Sequence, residues 1–216
     1  RQLAGVEYPP LTHQPTTSML TALNHERVSV EQAEQALAAL QANLDHQHGY
    51  LAADAVGVGK SREIALTILG AMEHARRAGH DLRLVVTTKS RDNITDLIDK
   101  ELYYVATGRT RDGMDLMHPE RERQEPDPLP FQVVLVSDYL QAKRTGEDYQ
   151  PLPQHPYAIY VTEAHNVAPF RQALIEVGLH GVIGDEAHKF KNVEGAAVGG
   201  SWQNLHAQII RHVPRG

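Results

Sequence analysis

Short apolar runs alternate with amphipathic helical segments along this chain of 216 residues. The pattern predicts helices over 29–44, 61–77 and 91–102, and strands over 50–52, 84–86, 133–136, 157–161 and 182–183. The first helix is predicted to begin with a capping box of Ser29 and Gln32, and the second to end before Gly79. The residues of the first helix predicted to share one inward face are Ala33, Leu37, Leu40 and Leu44. Two stretches without periodicity, 107–130 and 143–156, are predicted as surface loops. Strands that alternate with helices favour a mostly parallel sheet, because a parallel connection must cross over the sheet. We therefore predict an α/β fold with helices on both faces of the sheet.

The composition is that of an ordinary globular protein, with 41% hydrophobic and 22% charged residues. The absence of cysteine excludes a disulfide framework and a thiolate metal site. No apolar run approaches the ~20 residues that cross a bilayer, so we expect a cytoplasmic protein with no membrane partner. The net charge of −6 argues against a uniformly basic surface but is compatible with a local phosphate-binding track.

The strongest local signal is a strand, a glycine-rich turn and a helix in immediate succession, around Gly57-Val58-Gly59-Lys60-Ser61. Glycines let backbone N–H groups approach phosphate oxygens, and the start of a helix adds a favourable dipole. In such a loop Lys60 would reach the β- and γ-phosphates of ATP, and the Ser61 hydroxyl would bind Mg²⁺. The common form of the loop has a glycine where this chain has Asp54. A tight turn before an ordinary helix is the alternative interpretation.

A second signal is an apolar strand that ends in two adjacent carboxylates, where 182–184 leads into Asp185-Glu186-Ala187-His188. Ligands of open α/β sheets bind at the carboxyl ends of strands. Asp185 would hold Mg²⁺ through water, and Glu186 would orient and deprotonate the attacking water. An isolated Asp-Glu pair would suit a helix N-cap equally well, so the interpretation depends on the phosphate loop upstream.

Both segments resemble motifs of superfamily-two helicases, especially the Swi/Snf-type remodellers and the strawberry-notch-like proteins. The run 54–61 is similar to motif I of these groups, which carry an aspartate in place of the first glycine. The run 185–192 is similar to their extended motif II, and its Lys-x-Lys-Asn tail is more specific than the DEAH core. The resemblance implies a RecA-like lobe that uses ATP and Mg²⁺, with His188 linking the γ-phosphate to the nucleic-acid track. The implied cofactor-binding residues of this loop are Gly57, Val58, Gly59, Lys60, Ser61 and Arg62, of which the arginine favours the strawberry-notch variant.

Three further segments follow the motif order of the same family. Leu11-Thr12-His13-Gln14 is similar to the upstream glutamine motif, which makes Gln14 the candidate for adenine. Motif Ia, which contacts the nucleic-acid backbone, is similar to the strand end that carries Thr87, Thr88, Lys89 and Ser90. Ser137, within 134–139, is a second candidate for backbone contact. A surface glutamine and an ordinary strand end are the alternatives for Gln14 and Ser137.

Three other patterns are interpreted as structural. Thr162-Glu163-Ala164-His165 imitates the second carboxylate motif, but threonine stands where the magnesium aspartate should be. The 13 histidines lack the spacing of a metal site. The arginines at 109, 111, 121 and 123 are interleaved with acidic residues, which indicates a solvated charged loop.

The resemblance also implies a domain organisation. Residues 1–48 would form an N-terminal helical segment with the glutamine motif, and residues 49–216 the first RecA-like lobe, which ends before motif III. We expect a longer protein that carries a second lobe and acts as a nucleic-acid-dependent ATPase, a double-stranded DNA translocase or helicase-like remodeller. This lobe alone should bind nucleotide weakly and hydrolyse it very slowly. Another class of P-loop ATPase and a non-catalytic nucleotide-binding scaffold remain as alternatives.

Overall fold

The structure, a computed structural model, describes residues 2–3, 6–7, 11–46, 59–139 and 151–185. The strands in this part of the chain are β1 (Gln2–Leu3), β2 (Val6–Glu7), β3 (Leu82–Thr88), β4 (Gln132–Leu135), β5 (Tyr157–Glu163) and β6 (Gly181–Gly184). β1 and β2 form a short antiparallel pair. The other four form one all-parallel sheet in the order β4-β5-β3-β6. The predicted strand at 50–52 lies outside the described residues.

Helices connect these strands. They are α1 (Thr17–Asn24), α2 (Val30–His46), α3 (Lys60–Ala78), α4 (Arg91–Thr95), α5 (Tyr103–Thr107) and α6 (Val167–Glu176). A π-helical segment, Asp96–Leu102, joins α4 directly to α5, and a 3₁₀ turn, Ala164–Asn166, precedes α6. Within the described part of the chain, no helix combines the length and the apolar character that crossing a membrane requires.

The sheet has a separate hydrophobic cluster on each face, because successive strand residues point in opposite directions. On one face, buried residues of α1 to α5 pack against Leu84, Val86, Ile159 and Val161. On the other face, α6 packs against Val85, Ala158 and Tyr160. The predicted α/β architecture, a parallel sheet with helices on both faces, is confirmed. Helices α1 and α2 share their core with α3 and the sheet.

Helix α2 begins with the predicted capping box. The Ser29 N–H donates to Gln32 Oε1 at 2.9 Å, and the Gln32 N–H donates to Ser29 Oγ at 3.2 Å. The predicted inward positions at 33, 37 and 40 are buried or partly buried. The prediction for Leu44 is wrong, since this side chain is 38% exposed. The buried stripe ends one turn earlier, at Gln41, whose Oε1 accepts the Thr12 N–H at 2.7 Å.

Helix α3 lies between two glycines in the left-handed region, Gly59 with φ 81° and Gly79 with φ 72°. The second of these ends the helix where the sequence predicted, and its N–H bonds to the Arg76 carbonyl at 3.2 Å. Arg76, in the last turn, stacks over the ring of Tyr157, the first residue of β5, at 5.2 Å. The end of α3 therefore lies at the amino edge of the sheet.

The stretch that follows α5 is irregular but cross-linked by ion pairs. Arg111 bonds to Asp99 at 3.1 Å, Arg121 to Asp115 at 3.3 Å, and Arg123 to Asp112 at 2.7 Å. The three arginine side chains are between 56% and 62% exposed. These contacts agree with a solvated charged loop, in which the arginines neutralise neighbouring aspartates.

Candidate functional site

The carboxyl edge of the parallel sheet gathers polar residues from neighbouring strands. In the ladder, Thr88 of β3 pairs with Glu163 of β5, and Thr87 pairs with Gly184 of β6. Asp185 therefore lies level with Thr88 on the other side from Glu163. Neighbouring strands are about 4.8 Å apart, so the two carboxylate residues flank β3 at a backbone separation of roughly 10 Å.

Asp185 extends the β3–β6 ladder by one residue. Its N–H donates to the Thr87 carbonyl at 2.9 Å, directly after β6 ends at Gly184. This bond fixes the backbone of a half-buried acidic residue at the strand end. The neighbouring residues of the predicted motif, Glu186 and His188, lie outside the described part of the chain.

The first turn of α3 faces the same edge. Because Arg76 stacks at the amino edge, α3 runs antiparallel to the strands. Lys60 lies sixteen residues (76 − 60) before Arg76, which in an α-helix is about 24 Å, somewhat more than the length of a seven-residue strand. Lys60 and Ser61 are half-buried, and the free N–H groups of a helix start give this end a positive potential.

Gly59 is the N-cap of α3 and takes a conformation that glycine adopts at low cost, φ 81° and ψ 37°. The other two residues predicted to cradle phosphate, Gly57 and Val58, lie outside the described residues. The Gln32 side chain reaches this glycine, and its Nε2 donates to the Gly59 carbonyl at 3.3 Å. A Cβ at position 59 would lie 2.3 Å from Gln32 Nε2, so a side chain there would displace the glutamine.

Gln14, the predicted adenine residue, is exposed, and the structure does not bring it to Lys60. Its segment instead contacts Gln41 of α2 and Glu73 of α3, whose Oε1 accepts the Thr17 N–H at 2.9 Å. Glu73 lies thirteen residues (73 − 60) after Lys60, which is about 20 Å along the helix. The glutamine that contacts the start of α3 is Gln32 of α2. Sequence reasoning used it only as a helix cap, although its position ahead of the phosphate loop was a usable signal.

The segment similar to motif Ia divides into a buried and an accessible half. Thr87 and Thr88 are 0% and 1% exposed. The Thr88 hydroxyl donates to the Ser90 carbonyl at 3.0 Å. Lys89 is exposed and Ser90 is half-buried. Ser90 Oγ also accepts the Asn93 N–H at 3.3 Å and so caps α4. Lys89 and Ser90 are therefore the residues of this segment that a large ligand could reach.

Ser137 and Glu163 complete the edge. Ser137 is half-buried, within four helical residues, 136–139, that directly follow β4. Glu163 Oε2 accepts a hydrogen bond from Asn166 Nδ2 at 2.9 Å and lies 3.5 Å from His165 Nε2. Both partners belong to the 3₁₀ turn, so this carboxylate closes a local turn. These contacts support the interpretation of 162–165 as a structural segment and not as a magnesium-binding motif.

Arg62, one residue after Ser61, contacts the helix that follows Ser90. Its Nε bonds to Glu101 Oε2 at 2.7 Å, and its guanidinium lies 5.1 Å from the ring centroid of Tyr104. Burial raises the pKa of the Tyr104 phenol, and the positive charge of Arg62 partly opposes that rise. Burial also lowers the pKa of Arg27, whose Nη1 donates to the Ala106 carbonyl at 2.9 Å.

Within the described residues, no group of three or more histidine, aspartate or glutamate side chains forms a metal site of its own. Comparison with known protein families and with curated proteins finds no match to this chain.

Proposed function

We propose that this chain is a RecA-like lobe that binds Mg²⁺·ATP and belongs to a nucleic-acid-dependent ATPase, a double-stranded DNA translocase or helicase-like remodeller. One observation carries the proposal. The first turn of α3, with Lys60 and Ser61, and the end of β6, with Asp185, lie at the same carboxyl edge of a parallel sheet. Open α/β sheets bind their ligands at this edge.

The chemistry of these side chains fits Mg²⁺·ATP. An ammonium group suits phosphate oxygens, and Mg²⁺ prefers oxygen ligands while keeping several waters. Lys60 would bind the phosphates, Ser61 would hold the cation, and Asp185 would hold it through water. The bound Mg²⁺ would supply neutralisation of the charge on the phosphates. From the sequence, Glu186 is proposed as the base for the attacking water and His188 as the link to the nucleic-acid track.

The connectivity around β6 supports the RecA-like interpretation. Among the described strands, β6 pairs with β3 alone. Gln32 contacts Gly59, and Leu40 lies 3.6 Å from the Cβ position of Gly70, so α2 and α3 run in the same direction. Because the two helices run in the same direction, the chain that leaves the end of α2 has to return before it reaches the start of α3. The strand that the sequence predicts at 50–52, followed by the phosphate loop, would make such a return.

Two residue assignments change in the proposal. Gln32 replaces Gln14 as the glutamine beside the nucleotide, because it already contacts Gly59. For the nucleic acid, Lys89 and Ser90 are proposed as the contacts of the first segment, and Thr87 and Thr88 as the buried support beneath them. Ser137 stays a proposed backbone contact. A lysine and a hydroxyl suit phosphate contacts that position the strand without reading its sequence.

The first experiment measures the affinity of this chain for a fluorescent ATP analogue in the presence of Mg²⁺. Replacing Lys60 by alanine should weaken binding by about tenfold or more, because it removes a charge-assisted contact to the phosphates. The matched control is Lys100→Ala, which removes an ammonium group whose side chain is 57% exposed on another helix. Unchanged affinity in Lys60→Ala would contradict the proposal, and it would favour the scaffold alternative.

A further inference from the structure

The helix that runs from α4 to α5 contains a seven-residue π-helical segment, Asp96–Leu102. π-Helical turns form i→i+5 hydrogen bonds and appear mostly as single turns, frequently at functional sites. A longer stretch costs regular α-helical bonding, so it needs a compensating contact. The contact that Glu101 makes with Arg62, near the end of this segment, provides that compensation.

The π-helical segment moves Glu101 off the buried face of this helix. Position 101 lies seven residues (101 − 94) after Ile94, and seven residues are nearly two turns of a regular α-helix. Glu101 would therefore lie on the buried face with Ile94. In the structure Leu102 is 0% exposed, whereas Glu101 lies at the flank with its side chain 23% exposed. The wider turn thus turns a carboxylate away from the core and toward α3.

The flank that Glu101 occupies is where the first turn of α3 lies. The Glu101–Arg62 bond is 2.7 Å long, and both side chains are shielded, with 23% and 34% exposure. The same guanidinium stacks over Tyr104 at 5.1 Å and donates to the Arg27 carbonyl at 3.5 Å. Three different groups therefore hold Arg62, which is adjacent to Ser61 and two residues from Lys60.

We propose that Glu101 is a positioning residue for the nucleotide site: through Arg62 it holds the first turn of α3, and with it Lys60 and Ser61, at a fixed place against the helix that begins after Ser90. Its carboxylate acts only through Arg62. The proposal rests on the function proposed above and adds a residue that the loop sequence does not contain. It also ties the turn that would bind phosphate to the helix whose start carries Lys89 and Ser90.

The test is the affinity for the fluorescent ATP analogue with Mg²⁺ in Glu101→Gln, Arg62→Met and the double variant. It is measured at a temperature at which circular dichroism shows every variant to be folded, so that a purely structural role would leave the affinity unchanged. Glu101→Gln keeps the shape and removes the charge, and should weaken binding about threefold to tenfold. The double variant should bind no more weakly than Arg62→Met alone, because Glu101 acts through the arginine.

The matched control is Asp96→Asn, which removes a carboxylate from the same π-helical segment. Asp96 pairs with Lys100, and both side chains are 57% exposed. The affinity of the Asp96→Asn variant for the ATP analogue should therefore stay within about twofold of the wild type. Equal affinities in Glu101→Gln and Asp96→Asn, or fully additive losses in the double variant, would overturn the positioning role. Wild-type affinity in Lys60→Ala would instead overturn the nucleotide site itself. Should Arg62→Met not fold, Arg62→Gln, which also removes the charge, replaces it in the same comparison.

Discussion

Strands β5 and β6 flank β3, and both end in an acidic segment followed by alanine and histidine. The interior of β5 is buried, and the strand pairs on both sides. β6 is four residues long and half-buried throughout. Glu163, at the end of β5, closes its own 3₁₀ turn through Asn166, whereas Asp185, after β6, is held by its backbone beside Thr87. Similar sequences at two strand ends therefore make different contacts: the Glu163 carboxylate belongs to a local turn, whereas the Asp185 backbone continues the ladder with β3.

The largest contrast concerns packing, and isoleucine offers a matched pair. Ile159 in β5 is 0% exposed, and Ile183 in β6 is only partly buried against the same cluster. Ile159→Ala should lower the free energy of unfolding by about 2–5 kcal/mol, since it removes buried methyl groups and leaves a cavity. Ile183→Ala should lower the free energy of unfolding by less than half as much. Urea unfolding measures both, and equal losses would show that β6 is as deeply packed as β5.

The second contrast concerns the two carboxylates. Asp185→Asn should weaken Mg²⁺·ATP binding by about tenfold, because the amide removes the charge that would orient the waters of the cation. Glu163→Gln should change it by less than about twofold, since an amide oxygen can still accept from Asn166. Measuring the nucleotide affinity of both variants at several Mg²⁺ concentrations distinguishes these two outcomes. Similar losses in both variants would mean that β5 also contributes to the site.

The smallest expected effect is a pH dependence at the start of β6. His180 Nδ1 accepts the Arg83 N–H at 3.0 Å, which requires an unprotonated Nδ1, and burial together with the charge of Arg83 lowers the pKa of His180. The stabilisation is therefore fully present above the ordinary histidine pKa and is lost as pH falls through the lower pKa of the folded state. The loss should stay below about 1 kcal/mol, because the ring is half-buried and partly screened by water.

Urea unfolding at pH 7.5 and 5.5 checks this dependence against His180→Asn, whose stability should change less between the two conditions. His118→Gln, at an exposed position in the loop after α5, serves as the control. A wild-type protein that gains stability relative to His180→Asn as the pH falls would reverse the assigned sign.

Local patterns predicted the architecture well where one residue decides the outcome. Gly79 ends α3 because it alone adopts the left-handed conformation there easily, and the box of Ser29 and Gln32 starts α2. The position at which one segment packs along a neighbouring helix could not be predicted in the same way. Gln14 has a family-like context, but its segment packs on the distant half of α3. Sequence spacing does not specify which end of a helix a preceding segment will contact.

The helix after Ser90 shows a second limit. The helix predicted over 91–102 carries apolar residues at 94, 97, 98 and 102, and all four are buried. Their spacing does not reveal the π-helical turns, because both helix types can bury these residues. The consequence for Glu101 appears only when Arg62 is brought against it by tertiary packing. The polar carboxyl edge was predictable from motifs that follow alternating strands, whereas the contacts around it depend on how the helices pack.

The side chain of Gln32 makes two different kinds of hydrogen bond with one amide group. Its oxygen accepts from the Ser29 N–H at the start of α2, and its nitrogen donates to the Gly59 carbonyl at the start of α3. A glutamate, which is equally suited to a capping box, has no proton to offer and would bring negative charge to a carbonyl oxygen. The choice of amide over acid at this one position therefore makes the beginnings of two parallel helices chemically dependent on each other.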